Sequence, residues 1–505
     1  MGAGAVFYVY HLDPIMKTSV HMILAVAFLA GTPAAAQDLR SRYEQFLRER
    51  TQAYKEYVDA RNVEYARYMR ERWIQAPEHP AVEAEPQPAP RLPETPSAAV
   101  PDKPRALPVA AIVDTRDLPG PVAPDRPAAE TPSDGVPVSR PLGRTGPQVS
   151  FTFVGTEYAV SGVRGPKPRL RDVSENSVAA LWEEFSFSAY RAVTDDCLEL
   201  RNVLRLDDWG YLKMLEALTA AWYSDQREEN EAVLLQTYLL VQSGYKVRMA
   251  RSGQRLILLL PSSDMLYGCR YLELNGEKYF VIGNRSGSDG YYVFDRAFPG
   301  ERLLVMRPSV PNLPERTAPL RHLVSAKYPD MQADVGVCLN LVNYYALFPC
   351  CDVAVYQIPA VGNAVQRTLY PALLRSLEGR SPLRAAGMLL DFVQTAFPYR
   401  TDLEQFGYER PLFAEETLFY PYCDCEDRAV LYALLVRELL DLDVVLLQYP
   451  GHVATAVHFE DEEVPGDYVL VRGKRYTVCD PTYIGAGVGR SMFDSEQTKV
   501  EVILQ

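Results

Sequence analysis

Three stretches decide how this chain reads: YCDCEDRAVLYALLVRELL at residues 422–440, YPGHVATAVHF at 449–459 and YTVCDPTY at 476–483. The apolar positions after Cys425 fit a helix over Glu426 to Leu440, and Val444 to Tyr449 reads as a strand. Pro450-Gly451 turns the chain into an alternating strand, His452 to Phe459, and Asp461 to Asp467 form an acidic loop. Two short strands, Tyr468 to Arg472 and Arg475 to Cys479, follow about Gly473-Lys474 and end on Asp480-Pro481-Thr482. A helix leading into an antiparallel meander is an α+β order.

The same stretches carry a chemistry. A thiol attacks as its thiolate, and a helix N-terminus supplies partial positive charge where Cys425 stands. Asp424 and Asp427 have capping-box spacing, which fixes the helix start. His452, directly after the Pro-Gly turn, can serve as the base, and Asp480 can orient its ring. Cys425 is therefore expected to alkylate faster than the other seven cysteines. His458 shares the face of His452 and is the rival base; Cys423 and Cys479 are neighbouring thiols open to disulfide formation.

Together the three strings resemble the transglutaminase-like branch of the papain-like cysteine enzymes: a Cys-Glu/Asp-Asp helix start, a Gly-His strand and an Asp-Pro-Thr strand end. The resemblance covers roughly Leu383 to Gly489. It implies Cys425 as nucleophile, His452 as base and Asp480 as orienting acid. Many members carry Trp two residues after the histidine, whereas Ala454 and Thr455 follow here, so the wall of the acyl site is altered. Tyr420 and Tyr422 are candidates for the second oxyanion donor.

Sliding the chain by 197 residues gives an echo: Ala429-Val430-Leu431 falls on Ala232-Val233-Leu234, and Gly473, Tyr476 and Val478 on Gly276, Tyr279 and Val281. A degenerate copy of the fold over residues 148–330 is thus expected before a catalytic unit over 331–505. Glu228, Arg255 and Gly283 replace the triad there and cannot perform its chemistry.

Residues 1–36 read as an export signal, with Met16 as an alternative start, a short apolar run from Met22 to Ala30 and an A-x-A site before Gln37. This places the mature chain in the periplasm or outside the cell, with no membrane span after cleavage. In residues 37–75 aromatics recur every eleven positions, Tyr43, Tyr54, Tyr65 and Phe46, Tyr57, Tyr68, which fall on one helical face. That helix serves self-association or docking, or lies on its own body. The Pro-rich residues 76–147 read as an extended linker.

The 505 residues are 48% hydrophobic, and 52 basic against 65 acidic side chains leave a charge of −13. That balance argues against nucleic acid as a partner. Eight Cys and six His suggest neither a disulfide scaffold nor a metal site, and no cofactor is expected. Glu460-Asp461-Glu462-Glu463 lacks the alternating-acid pattern of a calcium loop. Three functions fit: an exported thiol hydrolase acting on peptide or isopeptide bonds of a protein or peptide substrate, a transglutaminase with an amine acceptor, or a non-catalytic binding or assembly module of the envelope.

Overall fold

The computed structural model describes residues 33–84, 105–114, 146–187, 189–283, 290–460, 464–493 and 499–504. The architecture is α+β with two strongly curled sheets. The helix Cys425–Leu440 packs on strands Val444–Tyr449 and His452–His458. The meander forms an antiparallel sheet in the order Asp467–Val471, Lys474–Cys479, His452–His458, Val444–Tyr449, Val500–Leu504.

The first half repeats this order strand for strand. Tyr271–Leu274, Glu277–Ile282, Arg255–Pro261, Arg248–Ser252 and Tyr291–Phe294 lie side by side, with the helix Glu229–Gln242 against Arg255–Pro261. Registers coincide under the 197-residue shift as well. Ala250 faces Ile257 where Leu447 faces Ala454, and Phe280 faces Leu260 where Thr477 faces Val457. Glu277 faces Leu274 where Lys474 faces Val471. A one-residue slip would turn every side chain to the other face, so shared register implies shared interiors. Ile257, Leu259, Leu272 and Leu274 line one sheet at the positions of Ala454, Ala456, Val469 and Val471 in the other.

Both sheets are closed by the N-terminal region. Ile74–Ala76 pairs with Tyr291–Phe294, while Glu78–His79 pairs with Tyr271–Leu274 at the opposite edge. Seven flat strands would hold those edges about 29 Å apart at six spacings of about 4.8 Å. Only Pro77 separates the two closing strands, and one residue spans about 3.6 Å, so the sheet must curl into a near-barrel. Arg105–Ala106 and Val109–Asp114 close the second sheet in the same way, but in parallel pairing with Asp467–Val471 and Val500–Leu504. The expected linker of residues 76–147 is corrected here. Its first residues and its middle supply edge strands, and Leu107 is buried inside the second barrel. Residues 85–104 and 115–145 of that segment lie outside the described residues.

The expected boundary between residues 330 and 331 also moves, because it falls inside the hairpin Arg321–Val324/Gln332–Val335. One apolar core crosses it: Tyr344 meets Phe153 edge-on at 6.4 Å, and Trp209 lies 6.4 Å from Phe348. The helix of the aromatic stripe spans Pro33–Met69. Its C-terminal end lies on the first unit, with Tyr65 packed among Trp182, Phe294 and Phe298. Phe46 and Tyr57 remain exposed, whereas the side chains of Tyr43 and Tyr54 are outside the described set. Residues 1–32, which hold most of the expected export signal, are outside it too. Among the described residues no helix is long and apolar enough to cross a membrane.

Candidate functional site

Asp480 follows the last residue of strand Lys474–Cys479, and His452 is the first residue of His452–His458. The two meet: His452 Nε2 lies 3.0 Å from Asp480 Oδ2. Asp480 Oδ1 accepts the Thr482 and Tyr483 N–H groups at 2.9 and 3.2 Å, so the carboxylate is locked from both sides. Gln394 Nε2 donates to the carbonyls of Asp480, Tyr483 and Ala486, and its Oε1 accepts the Gly485 N–H. That one side chain sets the loop carrying the acid.

The imidazole packs against Phe493 at 5.4 Å and Tyr449 at 6.1 Å. These rings form the aromatic wall beside the histidine. Thr455 donates to the Cys479 carbonyl, tying the two strands. With Nε2 committed to Asp480, Nδ1 is the nitrogen left for chemistry. His458 is otherwise engaged, its Nδ1 2.9 Å from the Arg475 carbonyl oxygen.

Cys425 opens its helix as expected and is buried, with 1% of its surface exposed. The Val453 N–H, next to His452, faces its sulfur. Among the described residues, however, the thiol donates to Glu426 Oε2 at 3.0 Å and makes no hydrogen bond to His452. Burial, then the Glu426 and Asp424 carboxylates, push the thiol well above its ordinary range. Burial and these carboxyl groups oppose the helix N-terminus, so they act against the expected fast alkylation. All eight cysteines are unbonded, and Cys423 Sγ accepts from Arg428 Nε at 3.5 Å.

The carboxylates belong to a buried cluster. Asp427 accepts the N–H groups of Asp424 at 3.2 Å and Leu412 at 2.7 Å. Asp402 accepts the Arg410 N–H at 2.6 Å, and Asp424 that of Asp402 at 3.3 Å. Side chains at the helix start thus pin the segment 402–412 to the start of the Cys425 helix. Burial raises Asp402, Glu426 and Asp427, and their mutual repulsion adds to it; burial also raises Asp424. Asp424 Oδ1 and Glu426 Oε1 are buried without a hydrogen-bond partner. Two overlapping triads, Asp402/Asp424/Asp427 and Asp402/Glu409/Glu426, each bring ligand atoms within 4.8 Å, an all-oxygen set suited to a hard cation. No metal site was expected from the sequence, because these acids come from separate loops.

Of the proposed oxyanion donors, Tyr420 receives an Arg410 N–H at 3.2 Å, and Tyr422 lies under the Arg400 guanidinium at 3.7 Å. Tyr399 is a further candidate: its hydroxyl is buried without a hydrogen-bond partner. No motif singles it out in the sequence.

In the first unit the triad positions hold their places without the chemistry. Glu228 is the buried residue before its helix and pairs with Arg169. Arg255 opens its strand on the surface, and Gly283 follows its strand at φ 85°. Comparison with protein-family models, with curated proteins and with solved structures returns no match.

Proposed function

We propose that this chain is an exported thiol hydrolase of the transglutaminase-like, papain-like type, acting on peptide or isopeptide bonds through Cys425, His452 and Asp480. The observation that carries the reading is the His452–Asp480 pair at 3.0 Å on the strand packed against the Cys425 helix. Nδ1 of His452 takes the thiol proton as the sulfur attacks the carbonyl carbon, and the carbonyl π electrons move to oxygen. The Cys425 N–H and the Tyr399 hydroxyl are the donors for that oxyanion. Collapse expels the amine, which takes its proton from His452. Water, activated by the same imidazole, then cleaves the thioester. Transfer to an amine shares every step but the last.

The first unit is read as a degenerate copy of the same fold, supported by common strand order and register. One observation favours the non-catalytic alternative: the thiol is buried and hydrogen-bonded to Glu426, with no hydrogen bond to His452 among the described residues. Turnover of a mixed peptide pool, read by mass spectrometry, decides between them. Hydrolysis by the wild-type chain should be lost in Cys425→Ala and His452→Ala and kept in His458→Ala. Absence of hydrolysis and of amine transfer would leave the binding module, and turnover that survives Cys425→Ala would remove Cys425 as the nucleophile.

A further inference from the structure

The loop of Asp480 and the helix of Cys425 are both tied to one turn of the chain, the C-terminal end of the helix Pro382–Ala396. Gln394 is buried there and reaches the loop: Nε2 lies 2.9 Å from the carbonyl oxygens of Asp480 and Tyr483 and 3.1 Å from that of Ala486, and Oε1 accepts the Gly485 N–H at 3.1 Å. The Cys425 helix is tied from the other side. Arg428, one turn beyond Cys425 and fully buried, donates from Nη2 to the Phe397 carbonyl at 2.6 Å and from Nη1 to that of Gln394 at 3.5 Å. The next residues extend the contact, with the Cys423 N–H donating to the Pro398 carbonyl at 3.3 Å and the Arg400 N–H to the Cys423 carbonyl at 3.2 Å.

The Gln394 amide has one orientation. Reversing it would set Oε1 against three carbonyl oxygens and Nε2 against an N–H, so neither a carboxylate nor an apolar chain of the same length reproduces its bonds. The fold itself does not need them. In the first unit Ala220-Ala221-Trp222 stands against Thr395-Ala396-Phe397, which sets Thr219 at the place of Gln394, and the 197-residue shift sets Glu231 at the place of Arg428. Thr219 bonds back to the Glu216 carbonyl of its own helix at 3.3 Å, and Glu231 accepts the Leu170 N–H at 3.1 Å. The same strand order forms there without the tie, in the unit that also lacks the Cys, His and Asp.

We propose that Gln394 is a positioning residue that holds the Asp480 loop against the turn bearing the Cys425 helix, and so keeps His452 Nε2 on Asp480 with Nδ1 left for the thiol proton. Asp480 Oδ1 is taken by the Thr482 and Tyr483 N–H groups, so the carboxylate turns with its loop, and a loop released by Gln394 carries Oδ2 off the imidazole. The value of this hold for turnover rests on the hydrolase reading; the hold on the ring does not.

The full chain labelled with nitrogen-15 histidine is read by long-range proton–nitrogen spectra at pH 8.5, which report the ring nitrogen that carries the proton in each neutral imidazole. Two histidines of one strand should differ in wild type: His452 protonated at Nε2, toward the Asp480 carboxylate, and His458 at Nδ1, toward the Arg475 carbonyl. Gln394→Met keeps the length and removes the amide; it should leave His458 as it is and turn the single His452 tautomer into a mixture. In an active chain its kcat should fall about hundredfold with KM within about twofold. Gln394→Glu, which keeps the acceptor for Gly485 but faces three carbonyls with oxygen, should act alike and is read alone if Gln394→Met does not fold. An unchanged His452 tautomer, a change shared by His452 and His458, or failure of both variants to fold would overturn the positioning role. A His452 tautomer that depends on Gln394 in a chain that hydrolyses nothing would sink the hydrolase and leave the hold on the ring standing. Hydrolysis at the wild-type rate in Gln394→Met would do the reverse.

Discussion

Raising the pH from 4.5 to 8.5 should destabilise this fold, the opposite of the usual behaviour of ion-paired carboxylates. Glu415 and Glu416 are buried in the segment that leads to Cys425, and burial raises each from 4.5 to about 7. A folded-state pKa above the unfolded one means that the folded chain binds the proton more tightly. The stability is present in full below the unfolded value and is lost as pH rises through the folded one. At about 1.4 kcal/mol per unit, each group contributes on the order of 3 kcal/mol across this window. Asp402, Glu426 and Asp427 are raised in the same direction and add to the loss. Asp208, lowered by Arg302 and Arg201 despite its burial, acts oppositely, but only as pH falls below about 4, where the unfolded carboxylate titrates. Urea unfolding at constant ionic strength should therefore give a lower midpoint at pH 8.5 than at pH 5. Asp402→Asn should restore part of the difference at the higher pH, while the exposed control Glu273→Gln should not. A midpoint that rises with pH, or an Asp402→Asn effect equal at both values, would refute burial of protonated acids around the helix start.

Two further outcomes probe the site. Glu426→Gln removes the carboxyl group that accepts the Cys425 thiol proton, so iodoacetamide labelling of Cys425 at pH 8, followed by intact mass, should quicken about tenfold for each unit by which the thiol pKa falls; an unchanged rate would show that burial alone protects the sulfur. Gly489→Ala places a Cβ 2.3 Å from the Pro465 carbonyl oxygen at φ 87°. It should cost about 1–3 kcal/mol in the loop between Asp480 and Phe493, read as a lowered thermal midpoint, and a midpoint equal to wild type would mean that this crossing is not tight.

What the sequence announced and what it hid differ by range. The helix after Cys425 and the strands Val444–Tyr449 and His452–His458 lie within a residue of where periodicity and the Pro-Gly turn place them, because their signals are local. The His452–Asp480 pair was legible for the same reason, each residue sitting at a strand end. The closing strands were not: Glu78–His79 and Arg105–Ala106 are two residues each, set in Pro-rich sequence, and their partners lie far along the chain. Composition reports the poor core-forming capacity of such a segment and is silent on its use as an edge. Glu426 was visible as a letter in the motif. Its role as the thiol's partner depends on a side-chain direction that no spacing reveals.

The two units agree in strand order and register, and they part company between the helices that precede the meander. In the first, helices Asp208–Trp222 and Glu229–Gln242 are joined by residues 223–228; in the second, Pro382–Ala396 and Cys425–Leu440 are joined by residues 397–424. That excursion supplies Tyr399, Asp402, Glu409, Arg410 and Glu416, and with Asp402 and Glu409 it completes the acid cluster at the helix start. The shared sheet alone brings the positions of His452 and Asp480 together in both halves, as Arg255 and Gly283. The barrel is thus a frame that carries His452 and Asp480 at strand ends, and the second unit adds to it a loop, residues 397–424, far longer than its counterpart in the first. Because Asp424 and Asp427 at the helix start accept the Asp402 and Leu412 N–H groups, the loop is held to the Cys425 helix by the same buried acids whose protonation the pH experiment reads.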